Sequence, residues 1–582
     1  MRYFYHSNTI YNITTVACKS LAHDAYTIMN KYCLLLICFF CFQSFGQNLY
    51  MKIEGSTTNQ TKIIDSLGYN SQHKDAKSIL DESNSISDRL MKNGFLEAEL
   101  LERKKTNDST FYFLYQLGKK TSFIHIHIGT INEAKKLNLF ESKNDSILLP
   151  LSESEAFLNA TLKKIETKGY SMAKIKLVNL QKRAGNLYAE LNINLGKLRQ
   201  VNDIVINGYD KFPDGHKKSI QRHYKDKVFN QDNLENLYKD FQKFRFVKQV
   251  KYPEILFAKD STKIYVYVEK TKSNTFDGFI GFTNNESNKI IFNGYLDLVL
   301  NNIMNSGEKL SLYWKSNGKD QKTFNLGVEL PYIFNSRLGL KTQLNIFKQD
   351  STYQNTLTAI DLGYYFNYST RLYLGYQSAE SSDIQNSNAS NLSDYTNSFV
   401  TTNFEFVDFK NDDYLFPEKT NCNIKIGTGK RSSKFQNNNQ FFINAILKHN
   451  ITLNSKNSIN LKSQNYYLQS NDYIINELYR FGGINSIRGF NENTLQGNLL
   501  TSLLTEYRYL LSPSVYTHTI FDYGYYKDTT SNSSNTLLGI GFGFGMLTKN
   551  GLINLVYANG STKDQTIKLS NSIVQISFKT SF

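Results

Sequence analysis

The chain has 582 residues, a formal net charge of +16, 40 Phe and 39 Tyr, but only 6 Pro. A chain of this length is expected to form about three to four domains, and an aromatic-rich, proline-poor composition favours β-structure. The positive charge would suit nucleic acid. However, the sequence has no dense Lys/Arg stripe, zinc-ligand spacing or helix-turn-helix pattern, so we predict no nucleic-acid partner.

An apolar segment near the start of the chain is typical of a secretory signal peptide. Residues 29–46 combine an early positive charge, Lys31, with the apolar run 32–42 and small residues just before Gln47. The run is too short to cross a bilayer as a helix, which needs about 20 residues. We therefore predict that the mature chain begins near Gln47 and leaves the cytoplasm, and that residues 1–28 are an over-extended start.

The N-terminal half repeats with a period of about 75 residues. Gly94 in "LMKNGFLEAEL" and Gly169 in "IETKGYSMAKI" occupy corresponding positions after an amphipathic helix. Each unit follows the order β-α-α-β-β, which is an α+β fold. The two strands that close each unit are predicted at 108–116 and 121–128, at 173–180 and 186–194, and at 249–257 and 263–269. The predicted units are 47–129, 130–198 and 199–271.

The third unit resembles the POTRA (polypeptide-transport-associated) domain. Its "IVINGYDKFP" and "KIYVYVEK" segments are similar to the first and last strands of that family. The first two units resemble it more loosely, and the resemblance implies three periplasmic POTRA-like repeats.

The C-terminal half, 272–582, loses helical periodicity and alternates with a period of two. In "LSLYWK", for example, Leu310, Leu312 and Trp314 alternate with polar neighbours. Even-numbered antiparallel strands of this length close into bacterial outer-membrane barrels, so we predict a transmembrane β-barrel. Its sixteen strands are predicted near 275–283, 289–300, 308–316, 321–332, 336–347, 354–366, 370–378, 395–408, 420–428, 437–449, 457–468, 497–510, 515–526, 536–547, 551–559 and 571–582.

Barrel closure requires the first strand to pair with the last, at a junction that we call the seam. Glycine removes side-chain packing from a strand, so the first strand is predicted to pair weakly. The last strand alternates apolar residues and ends in Phe, which resembles the assembly signal of outer-membrane barrels. The predicted seam residues are Phe276, Gly278 and Gly281 in the first strand and Val574, Ile576, Phe578 and Phe582 in the last.

The stretch "FGGINSIRGFNENT" lies in the long loop 469–496 and resembles the loop-six signature of the BamA/TamA outer-membrane insertase superfamily, also called the bacterial surface antigen family. The matching residues are Gly482, Gly483, Ile487, Arg488, Gly489 and Phe490. The resemblance implies that this loop folds into the lumen. A charge buried there needs a partner, and strand parity directs Glu506 and Asp522 inward as acidic partners of Arg488.

The sequence contains no catalytic or cofactor-binding motif. G-x-S-x-G, H-E-x-x-H and Walker patterns are absent, so we predict neither an enzyme nor a cofactor. His125 and His127 share one strand face, but no third ligand is apparent and no metal site is predicted. Cys422 is the only cysteine after residue 46, which excludes an intramolecular disulfide there.

The resemblance implies an outer-membrane protein assembly or translocation factor of TamA/BamA type. Such a protein captures client polypeptides with periplasmic repeats and inserts or passes them through the barrel seam. A two-partner secretion transporter that exports one cognate protein shares the fold and stays an alternative, followed by a porin or receptor. The implied partners are the outer-membrane bilayer, client outer-membrane or secreted polypeptides and, for the TamA type, an inner-membrane-anchored periplasmic protein.

Overall fold

The computed structural model describes residues 48–128, 137–140, 145–284, 290–317, 321–385, 391–410, 413–434, 436–568 and 572–582. The predicted signal peptide and over-extended start lie outside these ranges. The chain divides into two compact units, one comprising residues up to 165 together with 172–196, the other 166–171 and 197–582. Within the described ranges, the structure contains no helix that is both long and apolar enough to cross a membrane.

The first repeat is a four-stranded sheet covered by two helices. Its elements are β1 (Leu49–Gly55), α1 (Thr58–Leu67), β2 (Gln72–His73), α2 (Ala76–Lys92), β3 (Glu99–Lys105) and β4 (Thr110–Gln116). The strand order is β2-β1-β4-β3, with β1 parallel to β4. The side chains of Thr57 and Asp75 cap the two helices by accepting backbone N–H bonds. The apolar faces of the helices bury Ile64 and Ile86 against Phe113 of the sheet.

The second repeat begins one strand earlier than predicted. Its elements are β5 (Phe123–His127), β6 (Ser146–Pro150), α3 (Ser154–Thr167), β7 (Lys174–Arg183) and β8 (Asn186–Asn194). The prediction that 121–128 closes the first repeat is wrong, because β5 pairs with β6 and β8 instead. Periodicity identifies a strand but not its partners. His125, on β5, stacks on Tyr188 with the ring centroids 4.5 Å apart.

The third repeat has its own aromatic core in the second unit. Its elements are β9 (Val201–Asn207), α4 (Asp214–Tyr224), α5 (Gln231–Gln242), β10 (Val247–Gln249), β11 (Glu254–Phe257) and β12 (Thr262–Lys270). The strand predicted at 249–257 is thus divided between β10 and β11, which pair with different parts of β12. Leu234, Leu237 and Phe241 of α5 are buried against the sheet, as their helical spacing predicts.

Gly94 and Gly169, the two glycines at corresponding positions of the sequence repeat, form hydrogen bonds with the linkers between repeats. Gly94 has φ +99° and Gly169 has φ +96°, a conformation that favours glycine. The Gly94 carbonyl accepts a bond from Thr121 N at 2.8 Å, and the Gly169 carbonyl accepts one from Arg199 N at 2.9 Å. A Cβ at Gly94 would lie 2.1 Å from the Thr121 carbonyl oxygen. The glycines that recur with the sequence period are therefore the residues to which each linker is bonded.

Sixteen antiparallel strands form a closed barrel, which confirms the predicted fold class. The barrel strands are β13 (Thr275–Asn284), β14 (Ile290–Asn301), β15 (Lys309–Asn317), β16 (Gln321–Ile333), β17 (Leu338–Gln349), β18 (Tyr353–Tyr365), β19 (Thr370–Asp383), β20 (Tyr395–Phe409), β21 (Glu418–Ser433), β22 (Asn437–Thr452), β23 (Asn457–Gln469), β26 (Leu499–Ser512), β27 (Val515–Asp528), β28 (Ser533–Thr548), β29 (Gly551–Ser561) and β30 (Ile573–Ser581). Two short strands, β24 (Tyr479–Phe481) and β25 (Leu495–Gly497), lie in the long loop between β23 and β26 and pair with each other.

Side chains alternate between the lumen and the outer surface of the barrel. On β19, Tyr373 is 1% exposed, whereas the next residue, Leu374, is 64% exposed. The outward residues on this and other strands are large and apolar, as a lipid-facing surface requires.

The third repeat packs against the turns at its end of the barrel. Tyr209 shares hydrogen bonds with Asn302 and Asn305 of the turn between β14 and β15. Arg222 donates to the carbonyls of Asn335 and Ser336 in the turn between β16 and β17, at 3.0 and 3.2 Å. This end of the barrel therefore carries an extensive contact with the repeat.

His216 of α4 lies at the centre of this contact and is fully buried. Its ring lies within 5.4 Å, centroid to centroid, of Phe244, Phe246, Tyr332 and Tyr368. Neither ring nitrogen has a hydrogen-bond partner. Burial, with a smaller contribution from a barrel arginine, lowers the pKa of His216 to about 3, so the contact is formed by a neutral ring.

Candidate functional site: the lumenal loop and the seam

The loop between β23 and β26 folds back into the barrel lumen. It contains a short 3-10 helix, Ile475–Glu477, and the β24–β25 pair. Phe481 and Ile487 of the loop are buried against Leu500, Leu504 and Leu537 of the barrel strands. This apolar contact contributes to fixing the path of the loop independently of its charged groups.

Arg488 is 5% exposed and contacts both acidic residues that strand parity directs inward. Its Nε donates to Asp522 Oδ2 at 2.8 Å, and its Nη2 to Asp522 Oδ1 at 2.5 Å. Its Nη1 pairs with Glu506, and its backbone N–H donates to Asp522 Oδ2 at 2.9 Å. The planar guanidinium thus binds one carboxylate in bidentate fashion and a second at its remaining edge.

Glu506 is shared between two arginines. Its other oxygen accepts bonds from Arg508 Nε at 2.8 Å and Nη2 at 2.5 Å. Arg508 in turn lies 4.4 Å from the ring centroid of Phe416, which belongs to the segment between β20 and β21. The two cations and two carboxylates therefore compensate one another in the low-dielectric lumen.

The loop glycines predicted from the signature adopt conformations that side chains disfavour. Gly482, Gly483 and Gly489 have φ of +103°, +94° and +90°. A Cβ at Gly489 would lie 2.3 Å from the backbone nitrogen of Gly560 on β29. The loop tip therefore approaches the wall more closely than any other residue type allows.

The barrel strands that face the loop tip carry glycines at the points of contact, and these glycines were not predicted from the sequence. A Cβ at Gly539 of β28 would lie 2.4 Å from the Arg488 carbonyl oxygen. A Cβ at Gly560 would lie 2.5 Å from the Gly489 carbonyl oxygen, and one at Gly524 of β27 would lie 2.4 Å from Ile487 Cδ1. Three successive strands thus present a flat glycine surface to the tip. The available signal was inward-facing glycine in each of these strands.

A second buried ion pair holds the base of the loop, with the charges exchanged. Here the loop supplies the acid, Glu477, and strand β21 supplies Arg431; their side chains are 2% and 1% exposed. Gln440 Nε2 donates to Glu477 at 2.8 Å, and Arg431 Nη1 donates to the Asp472 carbonyl at 3.3 Å. This pair was not predicted from the sequence, because the strand was expected to end at 428, which left Arg431 outside it.

Further contacts carry the loop across the lumen to other strands. Tyr313 of β15 donates to Glu492 at 2.9 Å. Asn476 Nδ2 donates to Ser381 Oγ of β19 at 2.7 Å, and Arg480 Nε donates to Tyr353 Oη of β18 at 2.8 Å. The loop thus contacts strands from β15 to β29 and obstructs the lumen.

The seam between β13 and β30 is joined by two register pairs, Thr275 with Ser581 and Phe276 with Thr580. By contrast, ten pairs join β13 to β14, and eight join β29 to β30. In the part of the chain that the structure describes, residues 277–284 of β13 have no partner on β30. Unpaired backbone groups at a strand edge are a template for another strand.

The predicted seam residues flank this unpaired edge. Gly278 and Gly281 lie in the stretch of β13 that pairs only with β14. Phe279 and Ile280, although consecutive, are 63% and 59% exposed, because no strand covers that edge. On the last strand and at the C-terminus the predicted residues are all outward and exposed: Val574, Ile576, Phe578 and Phe582.

A closed sixteen-stranded barrel with an apolar outer surface is the fold of an integral outer-membrane protein. Residues 302–581 match the Omp85 superfamily domain, so the barrel carries an Omp85 superfamily domain. This agrees with the BamA/TamA-type resemblance of the loop signature.

Solved structures resemble this chain at low sequence identity. BamA from Haemophilus ducreyi lacking POTRA domains 1–3 is 15% identical, with a TM-score of 0.45 over 78% of this chain and 98% of that chain. CdiB from Acinetobacter baumannii is 12% identical, with a TM-score of 0.49 over 87% and 97%. CdiB from Escherichia coli is 14% identical, with a TM-score of 0.49 over 90% and 99%. No curated protein matches the sequence significantly.

Proposed function

We propose that this chain is an outer-membrane protein assembly or translocation factor of TamA/BamA type. Its repeats lie in the periplasm and capture client polypeptides, and its seam receives their strands. The observation that carries the proposal is the short pairing at the seam, where two register pairs join β13 to β30. A free strand edge binds an extended peptide by β-augmentation, with main-chain hydrogen bonds that do not depend on the client's sequence.

The lumenal loop supports the lateral route over passage through the barrel. The Arg488–Asp522 and Arg431–Glu477 pairs connect it to β27 and β21. An exporter would have to break buried ion pairs at both places for each client, and each leaves an uncompensated charge. Among the described residues, opening the seam breaks two register pairs and the bond from Phe582 N to the Asn274 carbonyl.

In this role the ion pairs of the loop hold the barrel wall next to the seam. The tip contacts β27, β28 and β29 through Gly524, Gly539 and Gly560, and β29 carries β30. The loop thus supports the last four strands from inside while β13 remains free at its edge. No catalytic group is needed for this function, since hydrogen-bond exchange drives strand addition.

A reversible crosslink across the seam tests the proposed function. Thr580 faces Phe276 in the register, so Phe276→Cys with Thr580→Cys, in a Cys422→Ser background, forms a disulfide when oxidised. The control places the same bond between β15 and β16, with Leu312→Cys and Leu326→Cys, which also face each other. The assay is the rate at which vesicles containing the protein fold a urea-denatured client barrel, read by heat-modifiable gel mobility.

We expect that oxidation abolishes the acceleration of client folding by the seam variant and that reduction restores it. The control variant should accelerate client folding in both states. Full activity with the seam closed would overturn the lateral route and favour passage through the lumen, as in an exporter.

A further inference from the structure

Three turns at the repeat-proximal end of the barrel project apolar side chains that no described residue of the chain covers. Ile303 and Met304, between β14 and β15, are 48% and 68% exposed. Phe334, between β16 and β17, is 93% exposed, and Phe366, between β18 and β19, is 53% exposed. We call these four residues the apolar foot.

The first turn is built rigidly around a buried acid. Glu308 is 2% exposed, and its carboxylate accepts bonds from Met304 N at 2.6 Å, Ser306 N at 3.1 Å and Ser306 Oγ at 2.7 Å. Gly307 N donates to Asn302 Oδ1 at 2.8 Å. Every bond lies within the turn, so Ile303 and Met304 are held outward by an ordered backbone.

The second turn holds Phe334 outward at a conformational cost. Tyr332, Phe334 and Asn335 have φ of +53°, +53° and +54°, which residues with a Cβ rarely adopt. The turn is closed by bonds from the Ser336 N–H and hydroxyl to the Ile333 carbonyl, at 3.0 and 2.8 Å. Strain of this kind is retained where the surrounding structure imposes it.

The third repeat binds the same turns. Tyr209 contacts Asn302, and Arg222 donates to the carbonyls of Asn335 and Ser336. The ring of His216 packs against Tyr332 and Tyr368. Each turn is therefore bound to the repeat and also carries an exposed apolar side chain; Phe366 borders a pocket that His223 of the repeat also lines.

The foot continues the lipid-facing surface of the barrel. Leu338, Tyr364 and Leu372, the outward residues at the adjoining strand ends, are 37%, 40% and 40% exposed. Phe366 packs against Tyr364 with centroids 5.1 Å apart, and Arg337 donates to the Tyr364 hydroxyl at 3.1 Å. Aromatic residues beside an exposed cation are typical of the membrane–water interface.

We propose that the apolar foot inserts into the periplasmic leaflet of the outer membrane. The repeat is thereby connected to the membrane surface, because it binds the turns that carry the foot. Continuity with the lipid-facing strands favours lipid as the occupant. This inference takes from the proposed function only the orientation of the repeats, and it holds whether or not the protein assembles clients.

Fluorescence quenching in vesicles tests the insertion. The chain has a single tryptophan, Trp314, so Phe334→Trp in a Trp314→Phe background places one fluorophore on the foot. The purified full-length protein is reconstituted in phosphatidylcholine vesicles with brominated acyl chains, and aqueous iodide is the opposing quencher. The matched control is Val250→Trp in the same background, since Val250 is 62% exposed on the third repeat.

We expect the Phe334→Trp variant to lose emission to brominated lipid as strongly as the wild-type protein does through Trp314, and to be protected from iodide. The Val250→Trp variant should respond only to iodide. Quenching of the Phe334→Trp variant by iodide alone would place the foot in water and overturn the inference. Protection from both quenchers would mean that a second copy of the chain covers the foot, which also overturns it.

A second variant, Met304→Trp, repeats the test if the first variant does not give a heat-modifiable barrel. Client folding is not measured in either case, so the result is independent of the proposed function.

Discussion

The lumen of the barrel and its repeat-proximal end are held by different kinds of contact. In the lumen, the loop is held by buried ion pairs, Arg488 with Asp522 and Glu506, and Glu477 with Arg431. At the other end, the third repeat is held by aromatic packing around His216, whose ring nitrogens have no partner. The first contact depends on buried charge pairs, whereas the centre of the second is a cluster of neutral rings.

This difference separates the conditions that loosen each contact. A buried ion pair is sensitive to the loss of either partner, because the remaining charge stays in a low-dielectric environment. A neutral histidine in an aromatic cluster is sensitive to protonation, since burial and the neighbouring Arg371 disfavour its charged form more than Glu329 favours it. The lumenal loop should therefore respond to mutation of its charges, and the repeat contact should respond to acid.

The largest effect is expected from Arg488→Ala. Removing the arginine leaves the fully buried Asp522 without a cation, and such a loss costs about 3–5 kcal/mol. We expect the loop to become protease-sensitive while the barrel remains heat-modifiable. Arg488→Lys should restore little, because an ammonium cannot bind two carboxylates in the same plane. Arg480→Ala is the control: it removes another loop arginine, but one bonded to a phenol and a carbonyl. Equal protease sensitivity of both alanine variants would contradict the clamp.

Arg431→Ala should have a smaller effect on the same loop. Glu477 would still accept bonds from Gln440 and from Ile474 N, so we expect a cost of about 3 kcal/mol, at the lower end of the range for a buried ion pair that loses one partner. Replacing both partners, with Arg431→Met and Glu477→Leu, should cost less than the single change, because no buried charge remains. Hydrogen exchange of residues 470–480 measures the loosening. A double variant worse than the single one would show that the charges are not coupled.

Acid should loosen the repeat contact. The pKa of His216 falls from 6.5 to about 3 when it is buried, so below pH 6.5 the undocked state binds a proton that the docked state does not. Docking is fully stable above about pH 6.5 and weakens as the pH falls toward 3, by roughly 2 kcal/mol at pH 5. The mobility of a spin label at Lys218 on α4, in a Cys422→Ser background, measures docking. His216→Phe should remove the pH dependence; if it persists in that variant, other groups cause it.

The smallest effect is expected from Gly560→Ala, which changes no charge. The added Cβ would lie 2.5 Å from the Gly489 carbonyl oxygen, and overpacking of this size costs about 1–2 kcal/mol. Gly327→Ala is the matched control on another strand, where the nearest atom within 4 Å is a movable serine hydroxyl. We expect protease cleavage in the loop to rise for Gly560→Ala alone. Identical cleavage in both variants would show that the glycine surface does not position the tip.

Period-two alternation was sufficient to predict the barrel, and the resemblance of the loop signature predicted the lumenal loop and its tip. In a closed barrel every strand has a lipid face and a lumenal face, so parity alone directs Glu506 and Asp522 inward. All sixteen strands were predicted near their observed positions, and the Gly-Gly and Arg-Gly pairs located the loop. These features are local in the sequence, which is why they could be recognised there.

Features that depend on distant pairing could not be predicted in this way. The strand β5 has an unambiguous alternating pattern, but its partners, β6 and β8, are determined by the folded repeat. Arg431 was missed because β21 extends five residues beyond its predicted end, to Ser433. The glycine surface formed by Gly524, Gly539 and Gly560 has meaning only once the loop lies against it, as does the packing of His216 against the barrel turns.

The central claim is that a client contacts the seam edge of β13 and does not enter the obstructed lumen. A photoreactive phenylalanine placed at Phe279, on the unpaired edge, and separately at Gln343, which lines the lumenal cavity of about 300 Å³, distinguishes the two routes during folding of a client barrel in vesicles. We expect the client to crosslink at Phe279 and not at Gln343. Crosslinking at Gln343 with none at Phe279 would contradict the lateral route.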